Sequence, residues 1–177
     1  MQDQEWGKEH APNIDINSVG KLTLVKSASA LQYGGDAMGG IIIAEGLKIP
    51  VKDSLFGKTS ISAASNGRGG VFTSQLTKST KNGWYGTLQG TVKRFGDVES
   101  SAYIMGNTGL FEKDLSFRLG LNRFGYGLEA YYAYYSTEIG ILRSSHAHGA
   151  ADQIRAINSN IPLVVRDFTY DIGYPKQ

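Results

Sequence analysis

The stretch that decides the fold reads Tyr33-Gly34-Gly35-Asp36-Ala37-Met38-Gly39-Gly40-Ile41-Ile42-Ile43. Its two glycine pairs permit tight chain reversal and close backbone packing, because glycine has no Cβ. Apolar residues at 22–26 and 40–44 predict a strand on each side, with a helical turn at 28–32 between the strands. The stretch has neither the Gly-Lys-Ser/Thr ending nor the Gly-x-Gly-x-x-Gly spacing of phosphate loops, so no nucleotide site is expected.

Downstream, residues from about 54 to 135 form short segments in which apolar and polar side chains alternate. Turn residues separate these segments at 66–70, 81–83 and 122–125, and Asn82-Gly83 is a strong hairpin signal. Successive side chains of a strand point to opposite faces, so each segment has one apolar and one polar face. The pattern predicts an antiparallel meander of strands.

Two architectures give this alternation, and the pattern alone leaves both open. A soluble β-sandwich acting as a binding or adhesion module has an apolar inner face and a polar outer face. A transmembrane β-barrel has lipid outside and water inside. Segments of about ten residues and aromatic side chains near their ends, such as Trp84, Tyr134 and Tyr135, favour the barrel. A water-filled lumen would also accommodate the polar side chains of the alternating segments, namely Gln89, Lys93, Arg118 and Glu129.

The composition excludes several classes of protein. The 177 residues carry a net charge of +2, which predicts no nucleic-acid footprint. The sequence has no cysteine, which excludes disulfides, thiolate metal sites and a cysteine nucleophile. It also has no apolar run long enough for a transmembrane helix, and its first residues do not form a secretory signal. No spacing assembles a catalytic triad, so we do not expect an enzyme.

The glycine-rich stretch resembles the end of the plug domain of TonB-dependent outer-membrane receptors. In that family a strand, a short Ala/Ser stretch, a Tyr-Gly pair and a Gly-Gly pair follow one another before the next strand. The matching residues here are Leu24-Val25-Lys26, Ser29-Ala30, Tyr33-Gly34, Ala37 and Gly39-Gly40-Ile41-Ile42, with Asp36 inside the motif. The sequence departs from the family pattern at Thr23, Ser27-Ala28 and Ile43, and the specific match is confined to residues 22–44.

The resemblance implies a mainly β protein in two parts. Residues 1–50 would be the C-terminal part of a plug, and residues 51–177 about the first five strands of an outer-membrane β-barrel. The loops at 66–70, 96–107 and 136–177 would be extracellular, the last being long, and the turns at 81–83 and 122–125 periplasmic. Such receptors have about twenty-two strands, so we expect the chain to be a fragment, unable to transport alone and prone to aggregate or oligomerise.

The resemblance also implies a function. It predicts part of a transporter in the outer membrane of a Gram-negative bacterium, energised through TonB by an inner-membrane complex. The ligand would be scarce: a ferric siderophore, haem, cobalamin, a metal chelate or a glycan. Gln89, Lys93, Arg118 and Glu129 would face the lumen and hold the plug by hydrogen bonds and ion pairs. No cofactor or resident metal is expected.

Candidate ligand contacts lie in two loops. Trp6, Lys8, Glu9 and His10 precede the first strand, where plug loops of the resembled family face the substrate. His146 and His148 could contact a metal chelate or haem, or could be solvated loop residues, since no third ligand follows at metal spacing. Residues 152–158 predict a short helix that packs as a loop cap. The tyrosines at 131–135 could stack a sugar or siderophore, or form an interfacial girdle.

Overall fold

The computed structural model describes residues 15–34, 40–142 and 149–174 and is mainly β, as predicted. Short 3₁₀ helices lie at Ile16–Ser18 and Ser27–Tyr33. None of the described helices is both long and apolar enough to cross a membrane. The strands are β1 Lys21–Val25, β2 Ile41–Glu45, β3 Ser54–Ala64, β4 Gly69–Ser79, β5 Trp84–Phe95, β6 Val98–Glu99, β7 Ile104–Met105, β8 Leu110–Arg123 and β9 Tyr126–Ile139, followed by the helix α1 Ala150–Ile157.

The N-terminal unit, residues 15–50, is built on the hairpin β1–β2, in which Lys21 pairs with Glu45 and Val25 with Ile41. Both strands lie within one residue of their predicted bounds, and a 3₁₀ helix replaces the predicted helical turn. Gly40 has a φ of 112°, and a Cβ there would lie 2.8 Å from the carbonyl oxygen of Val25. The close return of the chain at the start of β2 therefore requires glycine.

Residues from Ser54 onward form a five-stranded antiparallel sheet in the order β3-β4-β5-β8-β9. Tight turns join neighbouring strands, with left-handed backbone at Gly67, Gly83 and Gly125. The connection between β5 and β8 is longer and contains the small hairpin β6–β7. The outermost strands β3 and β9 have no further strand partner within the described part of the chain.

The polarity of the two faces of this sheet is the reverse of that in a soluble sheet. The face turned toward the N-terminal unit, here called the inner face, buries polar side chains: Thr73, Thr77, Gln89, Thr91 and Glu112. The opposite, outer face exposes its apolar side chains, with Ile61 at 77%, Leu88 at 51% and Phe117 at 45%. Among the described residues, Ala30 is the one fully buried hydrophobic side chain. Hydrophobic burial therefore does not organise the sheet.

The segment after α1, residues 159–174, folds back over one end of the sheet. The fully buried carboxylate of Asp97 accepts hydrogen bonds from the amides of Asn107 and Thr108 and from two guanidinium nitrogens of Arg166. The amide of Asp97 donates to the carbonyl of Thr169 at 3.0 Å. These contacts make residues 166–173 a strap tied to the connection between β5 and β8.

Three details of the sequence prediction were wrong. Strand β9 continues to Ile139, so the irregular region begins after 139 and not at 136. The connection at 96–107 contains the hairpin β6–β7, which its sequence did not indicate. The helix near 152–158 exists as α1, but it buries none of its residues, and Ile154 and Ile157 are exposed. The predicted packing of this helix is therefore not observed.

The strap gives the first prediction. Replacing Arg166 with Met leaves the buried carboxylate of Asp97 without its cation, and we expect closure of the strap to weaken by about 3 kcal/mol. The amide of Gly173 in the strap donates to Asn107 Oδ1 at 2.7 Å, and hydrogen exchange at this amide and at that of Asp97 measures the loss. Arg155, whose ion pair with Asp152 on α1 is exposed, is the matched control, and its change to Met should alter protection by less than about 0.5 kcal/mol. Equal effects of the two substitutions would contradict the role given to Asp97.

Candidate functional site

The candidate site begins at Asp15, which is 8% exposed and lies just before the first 3₁₀ helix. Its Oδ1 accepts hydrogen bonds from the amide of Asn17 at 3.0 Å and from Asn17 Nδ2 at 2.9 Å. Ser18 Oγ donates to its carbonyl at 2.7 Å. These local bonds form a compact turn that fixes the carboxylate. The second oxygen, Oδ2, is left to face the sheet.

Strand β5 meets this carboxylate with polar side chains. Gln89 Nε2 donates to Asp15 Oδ2 at 3.0 Å, and Thr91 Oγ1 donates to the same oxygen at 2.6 Å. Thr91 Oγ1 also lies 3.1 Å from Thr73 Oγ1 on β4. Residues two apart along a strand share a face, so Gln89, Thr91 and Lys93 all reach the inner side. The N-terminal unit is thus hydrogen-bonded to the centre of the sheet.

Lys93 links this carboxylate to a second one. Its ammonium lies 3.9 Å from Asp15 Oδ1 and forms an ion pair with Glu112, the residue opposite Lys93 in the β5–β8 register. Tyr135 on β9 donates a hydrogen bond to Glu112 Oε2 at 3.3 Å. The acidic charges in this region are therefore held by a cation and by hydroxyl and amide donors, which offsets the cost of their burial.

Asp114 completes a group of three carboxylates. One oxygen from each of Asp15, Glu112 and Asp114 lies within 4.8 Å of the others. Neither carboxylate oxygen of Asp114 has a hydrogen-bond partner among the described residues. Carboxylate oxygens are the ligands of hard cations, but the Lys93 ammonium already occupies part of this group and neutralises part of its charge.

A second polar cluster lies on the inner face nearer the other end of the sheet. Tyr85 donates to Glu129 Oε2 at 2.5 Å, and Arg118 Nε lies 3.6 Å from Glu129 Oε1. The Arg118 guanidinium stacks 5.5 Å from the Tyr131 ring centre. It also approaches the backbone of Gly46, where a Cβ would overlap it. The absence of a side chain at Gly46 therefore lets Arg118 reach the N-terminal unit.

Between the two clusters is a cavity of about 200 Å³. The residues that line it include Asp15 of the N-terminal unit and Gln89, Asp114, Tyr131 and Tyr135 of the sheet. Both the N-terminal unit and the sheet contribute to its walls. The arrangement has hydrogen-bonding groups and aromatic rings, but no nucleophile paired with a general base.

The structure places the residues singled out in the sequence as follows. Gln89, Lys93, Arg118 and Glu129 all lie on the inner face, the first two in the Asp15 cluster and the last two paired with each other. Tyr33 ends a 3₁₀ helix with an exposed side chain, and Gly34 and Gly40 flank the undescribed part of the motif. The remaining candidates lie outside the described residues: Trp6, Lys8, Glu9, His10, Asp36, Gly39, His146 and His148.

Sequence reasoning missed Asp15, Thr91, Glu112 and Asp114. Thr91 shares the period-two pattern of Gln89 and Lys93, so the alternation could have identified it. Glu112 and Asp114 lie an even number of residues before Arg118 on β8, so the same alternation places them on the inner face. Asp15 carries no local signal, because its partners on β5 lie 74 and 76 residues away.

Comparisons with protein-family models, with curated proteins and with solved structures gave no match to this chain.

The Asp15 cluster gives the second prediction. Changing Asp15 to Ala removes the hydrogen bonds from Gln89 and Thr91, and we expect the N-terminal unit to be held about 3 kcal/mol less tightly. Lys93 keeps Glu112 as a partner, so the sheet itself should stay folded. Hydrogen exchange at residues 17–25, compared with the strands of the sheet, measures the difference.

Asp53 is the matched control for this experiment, because its ion pair with Lys81 is exposed. Its change to Ala should alter protection by less than about 0.5 kcal/mol. If Asp15→Ala leaves exchange in residues 17–25 unchanged, the carboxylate does not hold the N-terminal unit.

Proposed function

We propose that this chain is part of a TonB-dependent outer-membrane transporter, with residues 1–50 in the plug and the following strands in the barrel wall. One observation carries the proposal: the sheet turns its polar face toward the N-terminal unit and exposes its apolar face. A barrel wall has this polarity because lipid covers its outside and water or a polar plug fills its inside.

The charge distribution on the outer face supports the proposal. The charged outer residues lie in the first four or last two positions of their strands: Lys78, Arg94, Lys113, Arg123 and Glu138. Between them is an uncharged band. On β5 this band runs from Trp84 to Val92, roughly 26 Å along the strand at the usual rise per residue. Tilt shortens its height, which is comparable with the apolar belt of outer-membrane barrels.

The polar contacts of the inner face support the plug assignment. Asp15 is bound to β5, and the backbone of Gly46 lies against Arg118 of β8. Ser79 of β4 donates to the carbonyl of Lys52, which follows the N-terminal unit. Hydrogen bonds and an ion pair thus hold this unit on the sheet. Such contacts allow a plug to move in a lumen that holds water.

The remaining parts of the proposal rest on the resemblance of residues 22–44. TonB and its inner-membrane complex would supply the energy, and the cargo would be a siderophore, haem, cobalamin, metal chelate or glycan. Trp6, Lys8, Glu9 and His10, and His146 and His148 in the outer loop, keep their proposed role as ligand contacts. The proposed role is transport and not catalysis.

The alternative, a soluble β-sandwich, needs a second sheet over the apolar face. In the described part of the chain the other two sheets are two-stranded. The hairpin β1–β2 belongs to the unit on the inner face, and β6–β7 belongs to a connection at one end. The barrel wall therefore explains the exposed apolar residues better than the sandwich does.

Detergent dependence tests the proposal. In the described part of the chain the sheet exposes a broad apolar face and two strand edges without a partner strand. We therefore expect the 177-residue chain to aggregate in plain buffer and to disperse in detergent micelles. Light scattering and sedimentation of the same preparation with and without detergent measure this. A monodisperse, cooperatively melting monomer in plain buffer would overturn the proposal.

A substitution on the outer face gives a sharper test. Changing Leu88 to Arg places a charge in the middle of the apolar band and should cost about 2–4 kcal/mol of folding free energy in lipid vesicles. Vesicle flotation and the fluorescence of the tryptophans report insertion. Ile157, exposed on α1 away from the sheet, is the matched control, and its change to Arg should leave insertion unchanged. If Leu88→Arg inserts as well as the parent chain, the outer face does not contact lipid.

A further inference from the structure

Two cations lie on the outer face at the end of the sheet that carries the strap. Arg94 of β5 pairs in register with Phe111 of β8, and Lys113 lies two residues farther along β8 on the same face. The Arg94 guanidinium lies 4.7 Å from the Phe111 ring centre, and the Lys113 ammonium lies 4.5 Å from it. The ring therefore holds both cations in place between adjacent strands.

Neither cation has a carboxylate partner among the residues that the structure describes, whereas Arg68, Lys93 and Arg166 each have one. Arg94 uses one nitrogen to donate to the carbonyl of Tyr170 at 2.7 Å, and its other nitrogens have no hydrogen-bond acceptor among the described residues. The charged group that faces them from the neighbouring strand is Glu138, which pairs in register with Phe111. Two cations therefore face one carboxylate, and the patch is positive.

Apolar side chains begin directly next to this patch. Val92 precedes Arg94 on the outer face of β5, and Leu115 follows Lys113 on β8, with both side chains nearly half exposed. Phe72 pairs in register with Val92 on β4 and is exposed to a similar extent. Cations next to an apolar surface match a molecule with an anionic head and hydrocarbon chains.

We propose that Arg94 and Lys113 bind the phosphate group of a membrane lipid whose acyl chains lie along Val92 and Leu115. The guanidinium offers a planar pair of donors to phosphate oxygens, and the ammonium adds a second charge. At the other end of the outer face, Lys78 and Arg123 lie on β4 and β8, which β5 separates. They do not form a pair. This inference rests on the proposed membrane location of the sheet.

The experiment uses the full chain in dodecyl maltoside micelles, titrated with dioleoyl phosphatidic acid or dioleoyl phosphatidylcholine and analysed by native mass spectrometry. Each cation near a lipid surface contributes about fivefold in affinity, so the double variant Arg94→Ala/Lys113→Ala should bind phosphatidic acid about thirtyfold more weakly. The matched variant Lys78→Ala/Arg123→Ala should bind it as the parent chain does. Inorganic phosphate alone should neither bind nor compete.

The charge-retaining variant Arg94→Lys/Lys113→Arg is the control for a folding defect in the alanine variant. It should restore most of the affinity for phosphatidic acid. Equal binding of phosphatidic acid by the parent and the alanine variant would overturn the lipid site, as would an equal loss in the Lys78/Arg123 variant. Binding of free phosphate as tight as that of the lipid would also overturn it. A chain that takes up no detergent or lipid of either kind would overturn the proposed function, and the lipid site with it.

Discussion

The contact of one buried carboxylate with the middle of a strand decides how the two parts of this molecule lie together. Asp15 is almost removed from water, and a buried charge is strongly unfavourable unless donors surround it. Asn17 donates to Oδ1 from within the N-terminal unit, whereas Gln89 and Thr91 donate to Oδ2 from the inner face of β5. Lys93 of the same face adds a cation at longer range. The N-terminal unit must therefore cover that face. The apolar side chains of the same strands are left on the outside.

This arrangement changes what stabilises the fold. In a soluble sheet the apolar face is buried, and the hydrophobic effect supplies most of the favourable free energy. Here the strands are held by their backbone ladders and by polar contacts on the inner face, and the apolar face contributes only when it leaves water. The solvent next to Leu88, Phe117 and their neighbours is thus part of the energetics. In the proposed barrel wall lipid would be that solvent, and it would make the exposed edges of β3 and β9 costly unless other strands pair with them.

The sequence predicted the strands well where the two faces differ chemically. In β5, polar residues at Gln89, Thr91 and Lys93 alternate with Leu88 and Val92, so the period of two is clear. The end of β9 was missed because residues 136–138, just before its last residue, are polar on both faces. Their ladder with β8, which pairs residue 139 with residue 110, holds them in the sheet. Pairing with a neighbouring strand is a tertiary effect that local sequence does not encode.

The sequence predicted only part of the candidate site, because alternation gives the face on which a residue lies but not the residue that it contacts. An inner-face position is readable from alternation, and so Gln89, Lys93, Arg118 and Glu129 could be grouped from the sequence. Asp15, which Gln89 and Lys93 both contact, could not be assigned, because it lies 74 residues before Gln89 and no pattern in the sequence links the two. In the helix α1 a contact was predicted that the structure does not contain. Its isoleucines are spaced as on a packed helix face, yet no surface of the described residues covers them.

The contacts of the N-terminal unit and those of the strap are separate. The unit bonds to inner-face side chains of β5 and β8, whereas Arg166 and Thr169 bond to Asp97 in the connection between these strands. Among the described residues the two sets have no member in common, and energetic terms from well-separated sites without shared partners are close to additive. The unit can therefore leave the inner face while the strap stays closed. The proposed transporter would need this independence, because its plug would move inside a fixed wall.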